Sequence, residues 1–441
     1  MEREGYLGMK SVVAVLDKRD SNITLSSHDK QQFGCVEDAS VLFEGRIYSP
    51  TLGVSGAEII AKKFQRKDCL KASVAFLKEV EGDFSFIIAE SERIIAGRDS
   101  VGVQPLYYGE SRTLAALASS RKALWKLGIE KTQSFPPGHL AVVTSEGFKF
   151  KPVKTLIYAE PKRVTMEKAA ETLQKLLEES VRRRVFGVKE VAVAFSGGLD
   201  SGVVAFLASK CRVNVHLIHV SLENRPETEE AKKAAEALRL PLQVCLFRES
   251  DVEKVVSRVV ALVEESDPVK VSVGVPFYWA AEKAVESGFK VLLAGQGADE
   301  LFGGYQRYVS AYLSCGREKV SRVMFDDVVR LYESNIERDV KICGFHGVEL
   351  RLPFAAYPIA EFAVALPVEL KIEGDAGSLR KLVLRRAAVD MGLPSSIVSK
   401  PKRAVQYATG VNVALKRLAK KQEITVCEYV RRLFLSQMTG K

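Results

Sequence analysis

The strongest constraint in this 441-residue chain is a short apolar run that leads into a glycine turn. Residues 191–195 read VAVAF, and the string SGGLDS follows at 196–201. A run of small and β-branched apolar residues without alternation is typical of a strand buried on both faces, so we place it centrally in a parallel sheet. Residues 202–209 continue as an apolar helix. The serines, the glycines and Asp200 therefore lie where a strand ends and a helix begins.

The SGGLDS string has the chemistry of an anion site. Backbone N–H groups left open by the glycines, with the positive end of a helix dipole behind them, suit a phosphate or pyrophosphate. Asp200 is acidic where phosphates would repel it, which makes sense if it holds Mg²⁺ that bridges to them. The string lacks the lysine of the GxxxxGKS/T loop. It resembles the PP-loop of ATP pyrophosphatases, which split ATP between its α and β phosphates.

Length and composition point to an ordinary globular protein with two domains. No apolar run approaches the roughly 20 residues of a membrane span. The amino-terminal residues lack the apolar core of a signal peptide, so we expect a cytoplasmic protein with no membrane partner. The seven cysteines include no CxxC pair, which argues against a zinc site or a disulfide framework. The net charge of +10 could indicate a nucleic-acid partner. Aromatic residues do not alternate with the basic residues in their clusters, however, which favours a solvated surface.

The part of the chain before the loop, residues 9–157, consists mainly of short β patterns. They predict an α+β sandwich of largely antiparallel strands. A polar link with Pro161 follows, and an amphipathic helix through Leu173 and Leu177 opens the second domain, residues 164–441. The predicted strands of the first domain are 11–17, 41–48, 84–89, 93–97, 114–119 and 139–144, and its predicted helices are 57–64 and 73–80.

After SGGLDS, β and α patterns alternate. This alternation predicts an α/β doubly wound parallel sheet with ligands at the carboxyl ends of its strands. A second strand-to-glycine turn, AGQGADELFGGY at 294–305, would then lie beside the first. Asp299 would face the same pyrophosphate as Asp200, and two carboxylates would clamp one Mg²⁺-triphosphate. The predicted strands are 213–221, 243–247 and 290–294, and the predicted helices are 227–239, 251–264 and 276–287.

Several strings in the chain resemble segments of one family. GRDSVGVQPLYY at 97–108, SSRKAL at 119–124 and PPGH at 136–139 resemble successive segments of the glutaminase domain of class II glutamine amidotransferases. Taken with SGGLDS, they resemble the asparagine synthetase family over nearly the whole chain and in the family's order. The resemblance implies an Ntn-hydrolase-like fold for residues 9–157 and an ATP-pyrophosphatase domain with a helical carboxyl-terminal part for residues 164–441.

The amino-terminal domain departs from the family at the residues that carry its chemistry. The family's glutaminase nucleophile is a terminal cysteine, and Lys10 stands in its place; a lysine ammonium is no acyl-transfer thiolate. The family's Asn-Gly-Glu string appears as Glu44-Gly45-Arg46, and its Ser-Asp pair as Ser55-Gly56. Its RGPD loop has no counterpart at 28–34. We therefore predict a folded glutaminase-like domain without glutaminase activity.

The last third of the chain is predicted to be helical. Arg338-Asp339 and HGVELRLPF at 346–354 resemble the family's segment flanking the acceptor site. Residues 379–388 predict an amphipathic helix that carries basic side chains. KPKRAVQY at 400–407 resembles the family's RxK string, whose lysine meets the leaving pyrophosphate, so the resemblance assigns that role to Lys402.

One catalytic position differs from the family within this second domain. The place of Gln296 usually carries an acidic residue that organises or deprotonates the reacting amine. A glutamine cannot take a proton, so either substrate or solvent acts as the base, or this position only hydrogen-bonds the nucleotide or acceptor. The predicted catalytic residues are Lys402, Gln296 and Asp299, and the predicted metal ligands are Asp200 and Asp299. The predicted nucleotide-binding residues, in part by resemblance, are Phe195, Ser196, Gly197, Gly198, Leu199, Asp200, Ser201, Val220, Ala294 and Gly295.

The resemblance implies an asparagine synthetase-like ligase with ATP and Mg²⁺ as cofactors. Such an enzyme adenylates a carboxylate, here most simply aspartate, and releases AMP and pyrophosphate. Ammonia, free or from a separate donor, then attacks the activated carbonyl. Three alternatives stay open: a divergent member joining another carboxylate and amine, as β-lactam synthetase does, a tRNA-modifying PP-loop enzyme, and a non-catalytic ATP-binding regulator. The sequence leaves the oligomeric state open, with a homodimer as one option.

Overall fold

The computed structural model describes residues 11–27, 33–36, 39–50, 56, 59–60, 64, 68–161, 163–373, 379–401 and 405–439. The chain forms two compact units, Met1–Leu156 and Ile157–Lys441, here called unit 1 and unit 2. Each unit has sheets of its own.

Unit 1 is built on two antiparallel sheets. Its strands are β1 (Val13–Asp17), β2 (Ile23–Ser26), β3 (Phe33–Val36), β4 (Ala39–Ser49), β5 (Glu81–Ala89), β6 (Ile94–Arg98), β7 (Tyr107–Glu110), β8 (Leu114–Ala118), β9 (Thr132–Ser134), β10 (His139–Thr144) and β11 (Gly147–Pro152). One sheet has the order β2-β1-β8-β7-β9, and the other has the order β11-β10-β6-β5-β4-β3. Neighbouring strands in both sheets pair antiparallel, so the prediction of antiparallel strands is confirmed.

The two sheets share one buried core. Alternating residues of β1, such as Ala14 and Leu16, join Leu117 of β8 and meet Ile87 and Val143 from the other sheet. This alternation is what a strand with one face on the core requires. A helix lies on the outer face of each sheet, and the two helices are α1 (Cys69–Glu79) and α2 (Arg121–Lys126).

The strands that the sequence did not predict lie mostly at sheet edges. β2 and β9 are the edges of one sheet, and β3 and β11 are the edges of the other. Edge strands carry polar and charged side chains that weaken their apolar pattern, as the lysines of β11 do. The predicted helix at 57–64 falls on a segment of which only 59–60 and 64 are described.

Unit 2 contains a five-stranded sheet in which all neighbouring strands are parallel. Its strands are β12 (Glu190–Ala194), β13 (Asn214–Leu222), β14 (Leu242–Phe247), β15 (Val291–Leu293) and β16 (Glu349–Arg351). Their order is β14-β13-β12-β15-β16, so the order reverses between β12 and β15. Ligands of open parallel sheets bind at the carboxyl ends of the strands, at this kind of reversal. The SGGLDS turn follows β12, and the second glycine turn follows β15.

Helices make up most of the last third of the chain, as predicted. The helices of unit 2 are α3 (Met166–Val185), α4 (Leu199–Ser209), α5 (Pro226–Leu238), α6 (Glu249–Val263), α7 (Pro268–Glu286), α8 (Ala298–Phe302), α9 (Gln306–Val329), α10 (Glu337–His346), α11 (Tyr357–Val364), α12 (Leu382–Asp390), α13 (Ser395–Val398), α14 (Val405–Ala408), α15 (Val411–Lys421) and α16 (Val426–Thr439). A π-helix, Tyr332–Ile336, precedes α10, and a 3₁₀ turn, Val368–Leu370, follows α11.

Three predicted helix starts are wrong. The helix predicted at 73–80 is α1, which begins at Cys69 because the Asp68 carboxylate caps its first turn by accepting from the N–H of Lys71 at 2.8 Å. α7 begins at Pro268, and Pro276 lies inside it, because the Asp267 carboxylate caps the first turn by accepting from the N–H groups of Val269 (2.7 Å) and Lys270 (3.2 Å). The helix predicted at 379–388 begins at Leu382. Lys381 precedes it as the N-cap residue with a left-handed backbone, φ 63° and ψ 45°, and so is not part of a solvated helical face.

Candidate active site

The SGGLDS turn folds as an open cradle between β12 and α4. Gly197 has φ +70°, and a Cβ at this position would lie 2.7 Å from Cα of Ala231 on α5, so only glycine fits the turn. Gly198 is the N-cap of α4 and offers no side chain to its first turn. Ser201 Oγ accepts from the N–H of Ser196 at 3.2 Å, which ties the two ends of the turn together. A helix amino terminus of this kind suits an anion.

The second glycine turn packs directly on the first. A Cβ at Gly295 would lie 2.8 Å from Cβ of Asp200, so the approach of the two turns depends on that glycine. Gly297 then adopts φ 93° and starts α8, whose first turn carries Asp299 and Glu300. Because β12 and β15 are neighbours in the sheet, residues about 100 positions apart in the chain meet at one edge.

The acidic side chains of the two turns converge on Lys381. Its Nζ lies 2.6 Å from Oδ1 and 2.7 Å from Oδ2 of Asp200, and 2.6 Å from Oδ1 of Asp299. The lysine side chain is only 2% exposed, whereas each carboxylate is 16% exposed. The site thus contains a buried cation in contact with both predicted metal ligands. Sequence analysis missed this role because the basic residues around Lys381 fit a surface helix.

The opposite side of the first turn is closed by a buried histidine. Nδ1 of His219, on β13, lies 3.0 Å from the carbonyl oxygen of Phe195, and its Nε2 lies 3.4 Å from Oγ1 of Thr228 on α5. Burial lowers the pKa of His219, so its ring is neutral and Nδ1 donates to Phe195. His219 therefore fixes the ends of β12 and β13, where Phe195 and Val220 line the cavity described below.

Gln296 is the first member of a buried polar network. Its Nε2 donates to Oδ2 of Asp339 at 2.5 Å, and Asp339 is also paired with Arg338 at 2.7 and 3.0 Å. Burial raises the pKa of Asp339, and the Arg338 charge opposes that rise. Arg338 reaches Oδ1 of Asn335 at 3.3 Å, and Nδ2 of Asn335 donates to Glu300 at 2.7 Å. The π-helix supplies Asn335, and such irregular turns are frequent at functional sites.

Glu300 is an acid that the sequence analysis did not select. Its Oε1 accepts from the hydroxyl of Tyr305 at 2.5 Å as well as from Asn335. Burial, with a further contribution from the nearby Asp299 charge, raises the pKa of Glu300 to about 7. Glu300 is 3% exposed and lines the cavity together with Tyr305 and Asn335.

A cavity of about 930 Å³ joins these groups within unit 2. It is lined by all the predicted nucleotide-binding residues and by Gln296 and Asp299. The predicted Lys402 lies outside the described residues. Lys400, two positions before it, does line the cavity, with its Nζ 2.7 Å from Glu230 and 3.4 Å from the carbonyl oxygen of Gly197. The structure therefore adds Lys381, Lys400 and Glu300 to the residues chosen from the sequence.

Asp200 and Asp299 are the two carboxylates that meet at the Lys381 ammonium. Among the residues that the structure describes, no cluster of three or more His, Cys, Asp or Glu side chains has the arrangement of a metal site. Asp200 and Asp299 nevertheless fit a hard cation, because their oxygens already meet around one positive charge.

In unit 1, the Glu44-Gly45 pair, which the resemblance aligns with the family's Asn-Gly-Glu string, places an acid on β4. Glu44, on β4, has an inward carboxyl that is hydrogen-bonded to Gln104 and Ser119, and burial raises its pKa to about 7. Gly45 adopts φ +108° against the carbonyl of Asp83. Lys10 and Ser55, the other sequence departures, lie outside the described residues.

Unit 2 thus has a parallel sheet, and two glycine turns that follow neighbouring strands bring a pair of acids to one cavity. A family model described as Asparagine synthase matches residues 172–317 and 310–438, and one described as Glutamine amidotransferase domain matches residues 18–126. A protein of Methanocaldococcus jannaschii, described as a glutamine-hydrolysing asparagine synthetase, is 34% identical over 392 residues, which are 78% of this chain and 72% of that protein. The chain belongs to the asparagine synthase family.

A plant relative shows the same breadth of similarity. The glutamine-hydrolysing asparagine synthetase of Sandersonia aurantiaca is 27% identical over 380 residues, which are 81% of this chain and 69% of that protein. The similarity to both relatives therefore extends well beyond the SGGLDS segment. Within the described residues, the helices all fall short of the length and apolar character that crossing a membrane demands.

Proposed function

We propose that unit 2 is an ATP-dependent amide-forming ligase that adenylates a carboxylate. The observation that carries this proposal is the convergence of Asp200 and Asp299, from two separate glycine turns, within 2.6 Å of one ammonium nitrogen at the wall of the cavity. Buried carboxylates are costly unless a cation pairs with them, so their placement beside a phosphate-type turn supports a polyphosphate substrate. Membership of the asparagine synthase family supports the same reaction class.

ATP would lie with its phosphates on the SGGLDS turn and its adenosine beside Phe195 and Val220. Asp200 and Asp299 would hold Mg²⁺, which when bound supplies charge neutralisation for the phosphates. Lys381 and Lys400 also line the cavity and would add positive charge near the phosphates. By resemblance, Lys402 would contact the leaving pyrophosphate. Preorganised donors of this kind stabilise charge as it moves to a leaving group.

The acceptor and the amine would bind on the side of Gln296. The amide nitrogen of Gln296 donates to Asp339, so its carbonyl oxygen Oε1 is directed away from that carboxylate. A carbonyl oxygen can accept a hydrogen bond from an amine but cannot remove its proton. The nucleophile would therefore react as the neutral amine, and its proton would pass to solvent or to substrate.

Aspartate and ammonia are the acceptor and nitrogen source we propose. Unit 1 would have an Ntn-hydrolase-like fold without glutaminase activity, because Lys10 replaces the cysteine nucleophile and Glu44 puts an acid where an oxyanion would form. Ammonia would then be free or come from a separate donor. The parallel sheet of unit 2 would be doubly wound. The nucleotide would bind where the strand order reverses, between β12 and β15.

The test is release of pyrophosphate from Mg·ATP by the full-length protein. We expect release that needs both aspartate and ammonium, with asparagine as product, and transfer of oxygen-18 from labelled aspartate carboxylate into AMP. Glutamine should give no glutamate. Release only with another carboxylate and amine would establish a divergent ligase. No release with any pair, despite ATP binding, would contradict the proposal and favour a regulator.

A further inference from the structure

Lys381 occupies the point at which a cation would bind the two carboxylates. Its ammonium contacts both oxygens of Asp200 and Oδ1 of Asp299, all at 2.6 to 2.7 Å. The three side chains come from three separate parts of the chain, and the lysine is almost fully buried. Lys381 is therefore a buried counter-cation of the two carboxylates. Unlike the ammonium of a surface lysine, its ammonium is largely shielded from solvent.

The backbone conformation at Lys381 directs this side chain towards the two carboxylates. Lys381 has φ 63°, a left-handed conformation that is unfavourable for a non-glycine residue. Neighbouring hydrogen bonds hold it, since Leu382 donates to the Lys371 carbonyl at 3.0 Å and Arg385 donates to the Lys381 carbonyl at 2.9 Å. Gly304 leaves the necessary space: a Cβ there would lie 2.5 Å from Cε of Lys381 and 1.8 Å from Oδ1 of Asp299.

The ammonium and a divalent ion cannot use the same carboxylate oxygens together. Mg²⁺ binds carboxylate oxygens at about 2.0 to 2.1 Å and usually takes further ligands from water and substrate phosphates. The protein offers two carboxylates here and places a positive charge between them. A metal ion arriving alone would face that charge, whereas one arriving on a nucleotide brings phosphates that the displaced ammonium can contact.

We propose that Lys381 is an internal counter-cation that closes the metal position until a metal-nucleotide complex displaces its ammonium onto the phosphates. Metal binding is thereby made dependent on nucleotide binding. This inference rests on the proposed function, because it takes a nucleotide triphosphate as the ligand of the site. Lys381 acts through its positive charge in this role, and it needs no proton transfer to act.

The test measures Mn²⁺ binding to the full-length protein by electron paramagnetic resonance, which reports free Mn²⁺. Without nucleotide, we expect the wild type to bind Mn²⁺ at this site with a Kd above about 1 mM, in the range of weak binding. Lys381→Met should lower the Kd at least tenfold at one site per chain. Asp299→Asn added to Lys381→Met should abolish that gain. With a non-hydrolysable ATP analogue, the wild type should bind Mn²⁺ tightly.

Three further variants separate an effect of the Lys381 charge from a failure to fold. Lys381→Arg keeps the positive charge and should exclude Mn²⁺ as the wild type does, and Lys381→Gln should behave as Lys381→Met does. Lys416→Met, on the exposed face of α15, should leave Mn²⁺ binding unchanged. Tight Mn²⁺ binding by the nucleotide-free wild type would overturn the inference, as would folded Met and Gln variants without any gain. Failure of the wild type to bind the Mn²⁺-analogue complex would overturn the proposed function itself.

Discussion

Glu44 in unit 1 and the Asp200–Asp299 pair in unit 2 show two ways of keeping a carboxyl group inside a protein. The pair in unit 2 lies within 2.6 Å of a lysine ammonium and lines a cavity. Glu44 is held by the neutral groups of Gln104 and Ser119, and burial raises its pKa to about 7. One arrangement keeps negative charge ready for a cation, and the other favours the protonated acid.

The difference follows from which neighbours the fold brings to each acid. A charge without a partner is neutralised by protonation in a low-dielectric site, whereas a charge with a partner is retained. Unit 2 therefore pairs its two carboxylates with a buried ammonium, as the proposed polyphosphate site requires. At Glu44, unit 1 instead has a buried acid whose hydrogen-bond partners, Gln104 and Ser119, are neutral. Substitutions that change one charge or one space in a single unit can test this contrast.

Removing Lys402 should have the largest effect. By resemblance, this lysine meets the leaving pyrophosphate, so Lys402→Met should lower pyrophosphate release at least 1000-fold, a loss of about 4 kcal/mol of transition-state stabilisation. ATP binding should stay measurable by calorimetry, because the SGGLDS turn is unchanged. Lys416→Met, which removes an equal charge from an exposed helix face, serves as the matched control. Unchanged turnover of Lys402→Met would remove the assigned role from this residue.

Closing the space at Gly304 should have the next largest effect. A methyl group in Gly304→Ala would overlap Oδ1 of Asp299 and Cε of Lys381, so the acid pair and the lysine could not keep their present contact. We expect at least a 100-fold loss of kcat/KM for Mg·ATP, or about 2.7 kcal/mol. Gly344→Ala is the control, because a Cβ at this exposed position of α10 meets nothing within 4 Å.

The two glycine variants separate a local effect from a general one. Gly344→Ala should keep full activity and be slightly more stable, since alanine is favoured over glycine inside a helix. A Gly304→Ala protein with normal activity and a normal melting temperature would show that the lysine and the two acids do not depend on this space. Their contact would then have no bearing on nucleotide binding.

The residues of the site that can be predicted from the sequence are those that lie within one short motif. SGGLDS and the second glycine turn each carry their own turn residues, and the alternating β and α patterns predict that both lie at the same sheet edge. The meeting of Asp200 and Asp299 follows from that topology. Lys381 is 181 residues from Asp200, and its neighbours Arg380 and Arg385 complete the periodic pattern of a surface helix. Only the left-handed turn before α12 directs it inward.

The difference between local patterns and distant contacts also explains which strands and helices could be predicted. Strands with a clear buried face, such as β1 and β5, are predicted because their alternation or apolar run reflects the core. The edge strands β2, β3, β9 and β11 carry weaker patterns, and their pairing depends on partners elsewhere in the chain. The start of α7 was misplaced because Pro276 looked like a first-turn proline, although Asp267 and Pro268 give the actual cap.

The smallest predicted effect is on unit 1 and depends on pH. The Glu44 carboxyl has a pKa near 4.5 when unfolded and about 7 when folded, so the folded state binds the extra proton between these values. Its stabilising effect is complete below pH 4.5 and is lost as the pH rises to 7. Glu44→Gln should therefore raise the free energy of unfolding of unit 1 at pH 8 relative to its effect at pH 4.5.

Tryptophan fluorescence can isolate this effect, because the chain has two tryptophans, Trp125 in unit 1 and Trp279 in unit 2. In a Trp279→Phe background, denaturant unfolding followed at Trp125 reports unit 1. Glu92→Gln, at an exposed turn between β5 and β6, should change the free energy equally at both pH values. If Glu44→Gln also showed no pH dependence, Glu44 would be ionised in the fold, and a cation would have to lie beside it. Unit 1 would then share the electrostatic design of unit 2, and the contrast between them would fail.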